Sequence, residues 1–170
     1  DILPPPRVAV GVRLSGSLLD LTFETEGIDI SELAGVLESY RRNQRFHRLR
    51  SGRYVTLDDT ALAGFTEIAD ALALTERELR TGRVSVQKYR AMVLDRVLRD
   101  NKSIQSQRDT SFKALVRGMN TASDSDFAVP QSLDGVLRNY QKTGYRWLRV
   151  MEQYGFGGIL ADDMGLGKTL

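Results

Sequence analysis

The end of the chain constrains its fold most. Gly157-Gly158-Ile159-Leu160-Ala161 is a short apolar run, followed at once by Asp162-Asp163-Met164-Gly165-Leu166-Gly167-Lys168-Thr169. A run of this length and character suits one buried strand of a parallel sheet. A strand followed by a glycine-containing loop that closes on Gly-Lys-Thr is the P-loop pattern.

Each residue type in the loop has a chemical reason. Gly165 and Gly167 let the backbone turn tightly, so successive N–H groups can point at phosphate oxygens. Lys168 supplies a cation that reaches β- and γ-phosphates, and Thr169 a hydroxyl suited to Mg²⁺. A helix starting at Lys168 would aim its positive end at the same anion. The loop departs from G-x-x-x-x-G-K-[ST] in having Asp162 where the first glycine belongs.

A second signal lies upstream, Leu137-Arg138-x-Tyr140-Gln141-x-x-Gly144-x-x-Trp147-Leu148. Alone it is an amphipathic helix whose stripe is Val136, Tyr140, Trp147, Leu148, Met151 and Tyr154, apolar positions that default to core. An isolated glutamine on such a helix belongs in solvent.

Together the two stretches resemble the Swi/Snf-type helicase-like ATPases of helicase superfamily two. Their Q-motif reads L-R-x-Y-Q-x-x-G-x-x-W-L and their first ATPase motif I-L-A-D-E-M-G-L-G-K-T. Both are present here, in order, with Asp163 in place of Glu. Asp162 is the usual residue of that family, which accounts for the missing first glycine. The likeness covers the last fifth of the chain. It implies that Gln141 reads the adenine edge, with Arg138 and Tyr140 shaping the base pocket. It implies too that the loop Asp162, Asp163, Met164, Gly165, Leu166, Gly167, Lys168 and Thr169 holds ATP. Lys168 and Thr169 would be the catalytic positions, and Thr169 would reach Mg²⁺. Neither Asp162 nor Asp163 is expected to replace the catalytic acid.

Composition sets milder limits. The chain has 170 residues, 41% of them apolar, enough for one good core or a small domain with part of another. Lys and Arg number 24 against 22 Asp and Glu, for a formal charge of +2, which does not by itself require nucleic acid. Arginine dominates the bases; it suits planar contacts with phosphate and is equally what a GC-rich genome produces. With no cysteine there are no disulfides or thiolate metal sites, and His47 is the single histidine, read as a structural or surface residue. No apolar run approaches the ~20 residues that cross a bilayer. With no signal peptide and no initiator methionine, the chain reads as an internal piece of a longer cytoplasmic, nucleoid-associated bacterial protein.

From its start, Pro4-Pro5-Pro6 gives an extended, rigid lead-in. Val8–Leu14 and Leu18–Thr25 alternate as the two strands of a hairpin turning at 15–17. A helix follows to about Asn43, with Asp29-x-x-Glu32 as a capping box. Phe46–Arg50 and Arg53–Leu57 form a shorter hairpin around Ser51-Gly52. Asp58 or Thr60 caps a helix to about Leu74, and Thr75 caps a short turn broken at Thr81-Gly82. Val86–Arg99 reads as a helix, 100–107 as a polar break, and Asp109–Met119 as a helix. Residues 120–126 are the best boundary, so the expected division is 1–119 upstream domain, 120–135 linker and 136–170 ATPase lobe. The upstream part is similar in layout to the bacterial helicase-associated module, on its place before the Q-motif, its R-L-R-S-G-R-Y-V hairpin and its K-Y-R-A-M-x-L-D-R-V-L helix.

Between Arg41 and Arg53 stand six arginines (Arg41, Arg42, Arg45, Arg48, Arg50, Arg53), one histidine and no acid. Arg48, Arg50 and Phe46 share one strand face, so this density suits nucleic-acid phosphates. Docking within the protein and a plainly solvated face remain alternatives.

The expected fold class is α+β: a mostly helical upstream domain with two β-hairpins, then the truncated start of a RecA-like α/β ATPase lobe. The resemblance implies an ATP hydrolase that moves along double-stranded DNA, with ATP and Mg²⁺ as cofactors. The remaining helicase lobes, absent from these residues, would complete the site. The 170 residues alone are therefore expected to be catalytically inactive. The other reading is a DNA- or protein-binding regulatory module that braces the motor lobe.

Overall fold

The structure is a computed structural model, which describes residues 1–57, 60–121 and 127–161. They form two compact units, Asp1–Ala114 and Leu115–Leu170.

The first unit begins with a two-residue strand, β1 (Ile2–Leu3), ahead of the three prolines. The alternating valines then make β2 (Arg7–Ser15), and β3 (Leu18–Glu26) returns antiparallel beside it. The pairing is continuous from Arg7 opposite Glu26 to Ser15 opposite Leu18. Gly16 takes a φ of +59° in the turn, a conformation that costs glycine nothing. Val8, Val10, Val12, Leu19, Leu21 and Phe23 all face inward and are buried. The hairpin is the one expected, longer by a residue at its open end.

A 3₁₀ turn, Ile30–Glu32, leads into helix α1 (Leu33–Arg41). Asp29 caps it by accepting the Ser31 N–H at 2.9 Å. The Ser31 hydroxyl, and then that amide, hold the Asp29 carboxyl below its ordinary range. The expected capping box does not form. Glu32 turns away and accepts the Arg50 N–H at 2.8 Å, which fastens the start of the helix to the next hairpin. That hairpin is β4 (Phe46–Arg48) with β5 (Tyr54–Thr56), and β1 pairs parallel to β5 to make a sheet ordered β1-β5-β4.

Helix α2 (Thr60–Ala71) buries Leu62, Phe65 and Ile68 completely. It ends three residues before the expected Leu74, and the proposed cap Asp58 lies outside the described residues. Phe65 meets Phe23 edge-on, ring centroids 5.2 Å apart, in a geometry aromatic pairs favour. Helix α3 (Glu76–Thr81) has a true capping box between Thr75 and Glu78. It stops at Gly82, where φ is +66° and a Cβ would sit 2.9 Å from the Phe23 carbonyl oxygen.

Besides the short β1, two strands escape the sequence reading. Residues 83–87 are β6 (Arg83–Gln87), paired antiparallel to β3; helix α4 begins only at Ala91 and runs to Asp100. The expected helix from Val86 had merged a strand with the helix behind it. Within the expected polar break lies β7 (Gln105–Arg108), parallel to β2. The larger sheet is thus four-stranded, in the order β6-β3-β2-β7. The class is α+β as expected, and both expected hairpins are present; β1, β6 and β7 add to them to make two sheets.

A buried ion cluster holds β7 to the helical layer. Asp95 on α4 is 4% exposed. It accepts Arg108 of β7 at 2.6 Å and Arg99, one turn along its own helix, at 2.8 Å. Asp109 then binds both sides of the junction. It accepts the Phe112 N–H at 2.7 Å to start helix α5 (Thr110–Thr121), and its other oxygen accepts the Leu14 N–H at 3.2 Å.

The second unit holds the one-turn helix α6 (Gln131–Asp134) and the long helix α7 (Asn139–Tyr154). Among the described residues no helix is long and apolar enough to cross a membrane.

Removing a carboxylate that sits buried between two guanidiniums is strongly destabilising, though both arginines keep some water, which lessens the loss. Asp95→Ala should therefore cost about 2–4 kcal/mol in urea unfolding, and Asp95→Asn less, because an amide still accepts hydrogen bonds. An unchanged midpoint for Asp95→Ala would remove the ion cluster from the account of how β7 is held.

Candidate functional site

Helix α7 carries the glutamine singled out by sequence. Its first turn is closed by that side chain: Gln141, third residue of the helix, accepts the Arg138 N–H at 2.8 Å on Oε1. This satisfies one of the amides that a helix start leaves unpaired. The next residue, Lys142, reaches Asp134 of α6 at 2.7 Å. That hydrogen bond, then the Lys142 and Arg146 charges, holds the Asp134 carboxyl below its usual range. The helix ends at Gly155, whose φ of +66° marks a left-handed cap. The Tyr154 ring stacks with Phe156 at 6.4 Å, and the Arg149 guanidinium lies 5.5 Å from the Phe127 ring centre.

The stripe expected to be core is largely in water. Val136, Tyr140, Trp147 and Leu148 are 62, 39, 38 and 46% exposed, and Val150 is the buried residue of α7. Tyr140, Trp147 and Leu148 border a groove of about 500 Å³, lined also by Leu137, Gln141, Gly144 and Leu160 among others. Its size and mostly apolar walls, with few polar groups, are those of a small-molecule site. Tyr140 and Gln141 thus both line this groove. Arg138 gives its backbone to the helix cap and is not among the residues lining the groove. Trp147 and Leu137 were overlooked as site residues. The signal was present, since 137, 140, 141, 144 and 148 recur at helical spacing and so share a face.

The tail reaches this groove. A Cβ on Gly158 would come within 2.5 Å of the Trp147 ring, so any larger residue there would have to push the ring aside. The strand expected over 157–161 is not formed, and Ile159 and Leu160 are 89 and 49% exposed. A strand needs a neighbour to satisfy its N–H and C=O groups, and among the described residues none pairs with this run. Asp162, Asp163, Met164, Gly165, Leu166, Gly167, Lys168 and Thr169 lie outside the described residues.

The arginine cluster divides into parts. Arg41 is paired to Asp70 and Arg42 to Glu38, each at 2.5 Å. Arg50 lies past the end of β4, so it does not share the Arg48 face; its N–H is bound to Glu32, and its charge lowers the Asp29 carboxyl slightly. Arg45, Arg48 and Arg53 are exposed, with no carboxylate in ion-pair range among the described residues. His47 is structural, as expected: its Nδ1 shares a hydrogen bond with Ser39 Oγ at 2.8 Å, and its ring rests against Gly35 of α1. No group of three or more His, Cys, Asp or Glu among the described residues could hold a metal ion.

The two-sheet upstream unit and the glutamine-bearing helix that follows it fall within two family matches that succeed each other along the chain. Residues 2–130 match the family described as "Bacterial SNF2 helicase associated", and residues 140–170 match the SNF2-related domain. The chain belongs to the bacterial SNF2 helicase associated family. It is 32% identical over 163 residues to "Putative ATP-dependent helicase/translocase YwqA" of Bacillus subtilis (strain 168), covering 91% of this chain and 17% of that protein. It is 27% identical over 162 residues to "Uncharacterized ATP-dependent helicase MG018" of Mycoplasma genitalium, covering 93% and 15%. Over 63 residues it is 41% identical to "TATA-binding protein-associated factor mot1" of Schizosaccharomyces pombe, covering 37% and 3%. The chain thus spans less than a fifth of the length of these relatives. No solved structure matches it.

The chain has one tryptophan, so its fluorescence reports directly on the groove. Gly158→Val should displace the Trp147 ring into water and shift its emission to longer wavelength, with the upstream unit's melting unchanged. Identical emission from the variant would show that the tail does not pack on Trp147.

Proposed function

We propose that this chain is the leading part of an ATP-driven motor that moves along double-stranded DNA in the bacterial cytoplasm, at the nucleoid. The observation that carries this reading is the succession of two family matches along one chain, the associated domain and then the SNF2-related domain, with Tyr140 and Gln141 meeting in the groove on α7.

The groove fits a purine in size and character: Tyr140 and Trp147 offer ring faces, and Gln141 offers the amide that tells one base edge from another. In this reading Gln141 has two duties, closing the helix start and reading adenine. Base recognition is thereby coupled to the order of the first turn of α7. Arg138 supports the base pocket through the same cap.

Beyond the groove, Gly165 and Gly167 let backbone amides face the phosphates, Lys168 neutralises β/γ charge, and Thr169 supplies a hydroxyl ligand for Mg²⁺. When bound, the metal adds charge neutralisation to a reaction whose catalysis is mostly positioning and electrostatics. The water-activating acid and the arginines that complete such a site would come from the rest of the SNF2-related domain. These 170 residues alone would then bind nucleotide weakly and not turn it over.

The test is phosphate release by the complete protein with and without duplex DNA. Lys168→Ala should abolish the DNA-stimulated rate, and Thr169→Ala should raise the Mg²⁺ requirement. Gln141→Ala should raise KM for ATP about tenfold and weaken the preference for ATP over GTP. Steady release from the purified 170-residue chain, sensitive to Lys168→Ala, would contradict the division of the site. A Gln141→Ala protein with an intact ATP preference would remove the adenine-reading role.

A further inference from the structure

The hairpin β4–β5 presents two faces that differ completely. Its inner face is fixed to the core: Val55 is fully buried, His47 bonds to Ser39 of α1, and Leu49 and Leu57 at the strand ends are 4 and 1% exposed. Its outer face follows from the register. Arg48 stands opposite Tyr54 and Phe46 opposite Thr56, so Phe46, Arg48 and Tyr54 project together away from α1. Phe46 and Tyr54 are 42 and 43% exposed. The Arg45 guanidinium lies 6.0 Å from the centre of the Phe46 ring, and Arg53 stands next to Tyr54 at the tip of the hairpin.

This face combines three guanidiniums with two exposed aromatic rings, and among the described residues no carboxylate lies within ion-pair range of those guanidiniums. The neighbouring bases are already neutralised. Arg41 and Arg42 have acidic partners, and Arg50 lies beside Asp29 and Glu32. The positive charge left over is therefore focused on the aromatic face. β4 is also an edge strand of its sheet, so nothing in the sheet flanks that side. Glu32 and His47 fasten the hairpin at its tip and its middle, so the rings and charges are held in place before any partner arrives.

From this arrangement we infer that the outer face of β4–β5 binds a single-stranded nucleic acid. Arg45, Arg48 and Arg53 take its phosphates, while Phe46 and Tyr54 stack its bases. A duplex would satisfy the arginines yet leave the rings idle, because its bases are stacked on each other. A single strand uses both, since every base has an aromatic face and every linkage a charge. The surface is far in sequence from the P-loop and needs no nucleotide, so it is a separate site from the one proposed above.

The test is anisotropy of a labelled 20-residue oligothymidylate, and of a duplex of equal length, with the 170-residue chain from 25 to 200 mM salt. The expected result is tighter binding of the single strand. Arg48→Ala with Arg53→Ala should flatten the slope of log K against log salt by about 1.4, as expected for two lost phosphate contacts on a single strand. Tyr54→Ala should weaken binding about fivefold or more with the slope unchanged, and Tyr54→Phe should restore it. Lys168→Ala, which abolishes the ATPase rate in the reading above, should leave the affinity for the oligothymidylate where it was, which keeps the two outcomes apart. Circular dichroism melting of each variant confirms that the exposed substitutions leave the fold intact. Equal or tighter binding of the duplex, no binding at 25 mM salt, or a salt slope indifferent to Arg48 and Arg53 would each overturn the assignment.

Discussion

The uninterrupted pairing of β2 with β3 is the constraint on which the upstream unit depends. Its register sends Val8, Val10, Val12, Leu19, Leu21 and Phe23 to one side, where they are buried. A slip of one residue in either strand would turn its three to the other face. Both outer strands of the larger sheet then attach to this pair, β6 to β3 and β7 to β2. The two attachments have different physical bases. β6 brings Val84 and Val86 to the sheet, whereas β7 reads Gln-Ser-Gln-Arg and has no apolar side chain to offer. Main-chain pairing and the Arg108–Asp95 contact hold β7 instead, so a buried charge takes the place of hydrophobic burial at that edge.

That difference explains which parts of the fold were legible in the sequence. The β2–β3 hairpin, α1 and α5 follow from apolar periodicity, and the cap of α3 follows from Thr75 and Glu78. β7 has no periodic signal, because what defines it is a partner strand and an arginine contact distant in sequence. β6 did have one, since Arg83, Ser85 and Gln87 alternate with Val84 and Val86. It was absorbed into the helix that follows because valine fits either period over so short a run. The capping box expected at Asp29 and Glu32 failed for a tertiary reason: the hairpin turn at Arg50 offers Glu32 a donor outside its own helix.

The candidate sites were legible to different depths. Tyr140 and Gln141 came from the resemblance to the Q-motif, since periodicity alone put the glutamine in solvent, and both line one groove. The apolar residues around them were taken for core, because a periodic stripe does not say whether it faces a neighbouring layer or solvent. For the arginines, sequence supplied a density of charge but not its pairing. Carboxylates distant in sequence, as Asp70 is from Arg41, decide which guanidiniums remain available. The same pairing turns a broad basic stretch into a compact aromatic and basic face. The upstream unit and α7 therefore offer two chemically different surfaces, one basic and aromatic and one mostly apolar, for which a nucleic-acid strand and a nucleotide base are proposed.

The central claim is that helix α7 opens a nucleotide site in which Gln141 both caps the helix and reads the base. Hydrogen exchange of the complete protein, with and without a non-hydrolysable ATP analogue and Mg²⁺, tests it most directly. The account predicts slower exchange for the first-turn amides of α7 and for residues 162–169 when the analogue is bound, and loss of the α7 protection in Gln141→Ala. Protection confined to residues 162–169, with the first turn of α7 indifferent to nucleotide, would contradict it.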